Sequence, residues 1–139
     1  MNTAILAFMF AQASQTFNLP PKLLESVCFI ETRHDITAVH EDDGGANSVG
    51  VCQVKLTTAR WLGFKGTEIG LLDPKVNIYF AAKYLKYQHT RYKNIQRALV
   101  AYNRGNAKDL MTTQYSDKVI KHWRANVDEE RNKRSPAGS

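Results

Sequence analysis

Helix-starting and helix-stopping residues divide this chain at short intervals, and no alternating apolar–polar run is long enough to build a sheet core. That pattern predicts an all-α fold, with room for one short hairpin between His34 and Val54. Asp73-Pro74 is the sharpest start. The carboxylate can cap free backbone N–H groups, and a proline is tolerated in a first turn. Val76, Phe80, Tyr84 and Tyr87 give the helix that follows one apolar face. Asn94 caps the next helix, which turns Ile95, Ala98, Leu99 and Tyr102 inward and stops at Gly105. A last helix runs from about Ser116, with Val119, Ile120 and Trp123 on one side. Upstream, Thr3 to Phe17 reads as a helix with Ile5, Phe8, Met9, Gln12 and Ala13 at helical spacing. Pro20 and Pro21 open a second helix that reaches about Arg33, and Thr57 or Thr58 caps a short one that Gly63 ends.

Size and charge narrow the function classes. With 139 residues the chain has room for a single domain, over 1–127, followed by a polar, flexible tail over 128–139. The formal charge of +6 draws the protein toward polyanions such as nucleic acid, acidic lipid or a bacterial wall. Arg91, Lys93, Arg97, Arg104, Lys118, Lys121 and Arg124 are spread over several helix faces, and no compact basic recognition helix is found. A nucleic-acid partner is therefore not expected. The most apolar stretch, Ala4 to Ala13, is far shorter than the roughly 20 residues of a membrane span. It is also a poor signal peptide, with no Lys or Arg before it.

Cys28 and Cys52 are too few for a disulfide-dense scaffold or a four-cysteine metal site. A disulfide between them, a small hydrophobic role for Cys28, and a thiol partnered by His34 or His40 all remain open. Glu41, Asp42 and Asp43 do not have the spacing of a helix–loop–helix calcium motif, so no metal and no cofactor is expected.

The most informative residue is Glu31. Its helix carries an apolar stripe of Leu24, Val27 and Cys28, and Glu31 falls on that stripe. Burial disfavours the charged form, and the negative end of the helix dipole pushes the same way. Both raise the pKa toward what a general acid needs near neutral pH. The plainer alternatives are an ion pair with Arg33 or Lys55, or a carboxylate that simply rims a cleft.

The residues around Glu31 form an ordered set of motifs: Glu31-Thr32, Gly50-Val51-Cys52-Gln53, Thr57-Thr58-Ala59, Asp73-Pro74 with Asn77-Ile78, and Ala101-Tyr102-Asn103-Arg104-Gly105. Over about residues 20 to 120 this series resembles the soluble lytic transglycosylase family, which has the lysozyme-like fold. The resemblance implies that Glu31 is the single catalytic acid/base. It implies that Gln53 lines the sugar cleft, that Tyr102 and Asn103 form the wall facing the acid, and that Tyr115 hydrogen-bonds near the carboxylate. Thr32 stands where the family usually has serine. His40 falls near a position where many members carry a small polar residue that helps polarise substrate. Thr32, Gln53, Tyr102, Asn103, Tyr115 and His40 are thus the expected substrate-binding residues. Met111 departs from an acidic residue common in the family, and Val51-Cys52 replaces Leu-Met.

The activity implied is cleavage of the β-1,4 bond between N-acetylmuramic acid and N-acetylglucosamine in peptidoglycan, leaving 1,6-anhydro ends. Asp42 or Asp43 folding over the cleft would instead give a hydrolase of lysozyme type. A catalytically silent wall-binding or assembly protein is the reading from another class. The expected partner is the glycan strand. The expected site of action is the cell wall, reached as a monomer without a signal peptide. A phage particle or a secretion or conjugation apparatus would each fit as the delivering machine.

Overall fold

The structure, a computed structural model, describes residues 1–41 and 45–134. Seven helices and a small sheet follow in the order α1 (Thr3–Thr16), α2 (Leu23–Thr32), β1 (Val39–His40), β2 (Ser48–Val49), β3 (Val54–Lys55), α3 (Leu56–Trp61), α4 (Glu68–Leu72), α5 (Pro74–Tyr92), α6 (Ile95–Arg104) and α7 (Gln114–Arg134). The expected single hairpin is a three-stranded antiparallel sheet in the order β1-β2-β3. Val39 pairs with Val49, and Val49 in turn with Val54.

Helix α5 is the central element, packing on α1, α4 and α6, with α2 and β3 also against it. Its start is as expected: the Asp73 side chain accepts from the Lys75 and Val76 N–H groups and Pro74 opens the first turn. Its buried face is not the expected one. Ile78, Ala81, Ala82 and Leu85 are buried, whereas Tyr87 is 38% exposed. Two alanines let neighbouring backbones approach closely, and the bulkier Phe80 and Tyr84 pack half-buried at the edge of that contact.

Helix α1 differs in the same way. Leu6, Phe10, Ala13 and Ser14 are buried, whereas Ile5 and Phe8 face solvent. Its sequence is apolar almost all round, so spacing alone does not single out a face. Pro20 and Pro21 lie in the turn before α2 rather than in its first turn, and Lys22 takes a left-handed conformation there. Helix α3 begins at Leu56 without a side-chain cap, one residue before the two threonines proposed for that task. Helix α4 was not expected; Thr67 caps it by accepting from the Gly70 N–H.

The expected boundary at residue 127 does not coincide with the end of α7, which continues to Arg134. Glu129 with Lys133 and Glu130 with Arg134 are ion pairs one turn apart that support this polar stretch. Trp123 anchors the helix, its indole N–H donating to the Pro21 carbonyl at 2.8 Å. Among the described residues no helix is long and apolar enough to cross a membrane.

Candidate active site

The four residues Gly50, Val51, Cys52 and Gln53 join β2 to β3, and they turn inward. Val51 and Cys52 are fully buried. A disulfide and a buried side chain help to hold them. Cys28, one turn before Glu31 on α2, forms a disulfide with Cys52. Asn77 of α5, itself fully buried, accepts from the Cys52 N–H at 2.9 Å. The same side chain donates to the carbonyls of Val49 at 2.8 Å and Leu71 at 2.9 Å. Gly50 has φ +81°, and a Cβ there would collide with the Asn77 side chain. Of the three roles open to the cysteines, the structure takes the disulfide, which leaves no thiol for catalysis.

Glu31 projects from the last turn of α2 into a cleft of about 420 Å³. Tyr115, at the start of α7, donates its hydroxyl proton to Glu31 Oε2 at 2.7 Å. Burial is the main force on this carboxyl and pushes its pKa up to about 7, although the Tyr115 hydrogen bond and the nearby His40 both pull it down. The plainer alternative of an ion pair with Arg33 is not what shifts it; that guanidinium lies over the Phe29 ring. The Tyr115 phenol is itself held well above its ordinary range, by burial first and then by the Glu31 charge. It therefore stays a donor.

Gln53 is engaged on two sides. It lines the cleft, and its Nε2 donates to the backbone carbonyls of Ala38 at 3.2 Å and Gly50 at 3.0 Å. With the nitrogen committed to two acceptors, Oε1 is left to face His40, whose Nδ1 lies 2.5 Å away. A proton on His40 Nδ1 completes this hydrogen bond and leaves Nε2 as the other ring nitrogen.

Tyr102 is buried in the wall, and its hydroxyl donates to the Cys52 carbonyl at 2.8 Å. Asn103 lines the cleft from the last turn of α6, while Gly105 closes that helix with its own backbone. Thr32 is placed differently from the others. Its hydroxyl donates to the Val51 carbonyl at 2.8 Å and accepts from the Asp35 N–H. It ties α2 to the inward turn and does not line the main cleft. Asp42 and Asp43, the candidates for a second carboxylate, lie outside the described residues.

Ser48, Lys55, Thr58, Tyr84 and Arg104 also line the cleft. Sequence reasoning set Lys55 beside Glu31 only as an alternative ion-pair partner and did not place the others there. Spacing puts Tyr84 on the apolar face of its helix and Thr58 at a cap, Arg104 is one of several dispersed cations, and Ser48 follows turn-forming residues that leave no periodicity. No spacing rule singles out these residues, because the cleft is assembled from the sheet, α3, α5 and α6. Among the described residues no three His, Cys, Asp or Glu side chains converge as a metal cluster would require.

A mostly helical domain with a three-stranded sheet, and one buried, protonatable carboxyl in a cleft between them, defines a lysozyme-like protein. Within that class the chain belongs to the Transglycosylase SLT domain family, whose model matches residues 8–123. It is also 30% identical, over 113 residues and 79% of its length, to a protein of Enterobacteria phage PRD1 described as a transglycosylase. The chain spans 40% of that relative's length.

Proposed function

We propose that this domain cleaves the β-1,4 bond between N-acetylmuramic acid and N-acetylglucosamine in peptidoglycan without consuming water. The observation that carries this reading is Glu31. It is the one carboxylate lining the cleft among the described residues, with a pKa near 7 and a hydroxyl donor at its back. A carboxyl poised there can both give and take a proton at neutral pH.

Glu31 in its acid form gives its proton to the glycosidic oxygen, and the bond to the anomeric carbon breaks. The resulting carboxylate then takes the proton of the sugar's 6-hydroxyl, whose oxygen bonds to the same carbon. The new chain end is a 1,6-anhydro sugar, and Glu31 regains its starting form. A hydrolase that flanks its bond with two carboxylates would need a second group. Gln53, Asn103 and His40 would hold the strand along the walls. Tyr115 and Tyr102 are positioning residues, because both hydroxyls are engaged inside the protein. The similarity to a phage transglycosylase favours a phage particle as the delivering machine, with action as a monomer at the bacterial wall.

The test is to incubate purified peptidoglycan with the native protein and with Glu31→Gln, then weigh the released fragments by mass spectrometry. Anhydro ends from the native protein and none from the variant are expected. Reducing ends would move the reading to a hydrolase and direct attention to Asp42 and Asp43. Equal release by both proteins would remove Glu31 from the mechanism. No release by a folded native protein would favour the assembly role.

A further inference from the structure

A row of aromatic rings leaves the cleft and ends in solvent. Tyr102 and Tyr84 have ring centroids 5.4 Å apart in the wall. Tyr87 follows Tyr84 by one turn of α5, with centroids 6.4 Å apart and planes within 7°. Trp61 meets Tyr87 edge to face at 4.8 Å. Exposure rises along the row, from 8% at Tyr102 to 38% at Tyr87 and 62% at Trp61.

Neither outer ring is part of the buried core, and the two meet each other. They stand in water on two elements, α3 and α5, whose residues one turn earlier, Thr58 and Tyr84, line the cleft. The row is therefore continuous with the cleft. Trp61 is exposed, and its indole carries a donor N–H beside a flat apolar face. Two rings are far too small a surface for a stable protein interface, which buries on the order of 1,000 Å². They suit a narrow, extended ligand with flat apolar faces and polar edges. A β-1,4-linked glycan has that shape, since each pyranose ring presents C–H groups on its faces and hydroxyl or acetamido groups at its rim. The C–H groups match the negative face of an aromatic ring.

We propose that Tyr87 and Trp61 form an outer glycan subsite that stacks on sugar rings of the strand beyond the cleft, making the domain selective for long strands. This inference rests on the reading of the cleft as a glycan-cleaving site.

Calorimetry on the full chain with Glu31→Gln, which prevents consumption of the strand, would test it. The ligands are peptidoglycan glycan fragments of roughly four and roughly eight sugars. The longer fragment is expected to bind about tenfold more tightly than the shorter one, the scale of one good aromatic contact. Adding Trp61→Ala, or separately Tyr87→Ala, is expected to erase that gain and leave binding of the short fragment as it was. Trp61→Tyr is expected to restore most of it. Equal affinity for both lengths before any ring is removed, or a gain that survives both alanine variants, overturns the subsite while leaving the cleft reading intact. Failure to bind either length, with no fragment release by the native protein, overturns both.

Discussion

Glu31 is held between opposing influences, and its neighbours set where the balance falls. Burial raises its pKa, and Tyr115 and His40 lower it. If the acid form does the first step, activity is high below about pH 7 and declines as the carboxyl ionises above it. Tyr115→Phe removes a donor that favours the charged form, so the remaining forces raise the pKa further. The decline of rate on the alkaline side should then move to higher pH, read from pH profiles of fragment release. A profile that stays in place or moves to lower pH would show that the phenol does not bias this proton. The same shift has a sign in stability. The folded state holds its proton more tightly than the unfolded chain, so this residue's contribution is fullest below pH 4.5 and is lost as pH rises through about 7.

At the scale of elements, the inward turn between β2 and β3 depends on Asn77. All three of its hydrogen bonds go to backbone groups, and the side chain is fully buried. Asn77→Ala strands one N–H and two carbonyls in the interior and should lower stability by about 3 kcal/mol or more, measured by urea unfolding. A loss below about 1 kcal/mol would mean that water replaces the amide.

How far these elements could be read beforehand depended on whether the signal was local. The caps Asp73, Asn94 and Gly105 act on their own helix ends, and the structure has each of them in place. Glu31 announced itself because a charge on an apolar stripe contradicts its own helix. The buried faces of α1 and α5 are offset from those their spacing suggests, because each depends on which neighbour packs where, and a segment apolar on several sides does not record that. The anchoring role of Thr32 was hidden for the same reason, because it binds a backbone carbonyl supplied by a distant part of the chain.

The whole molecule is assembled around one covalent tie. Cys28 and Cys52, at a sequence separation of 24, close a loop and join the helix that carries the acid to the turn that carries Gln53. In the chain-entropy view such a loop adds about 3 kcal/mol. Replacing both cysteines with alanine should lower the denaturation midpoint accordingly, and treatment with a reductant should do the same to the native protein but not to the double variant. If reductant left the native midpoint unchanged, the tie would contribute nothing to folding.

That bond also carries information about place and time. Glutathione and thioredoxin keep thiols apart in a bacterial cytoplasm, whereas the periplasm closes them. A freshly synthesised molecule would lack the clamp behind its acid, relying on Asn77 and Tyr102 to hold the turn. Under the proposed action at the bacterial wall, the cross-link would close only in an oxidising compartment, so a reduced and then an oxidised form of the same fold would follow one another.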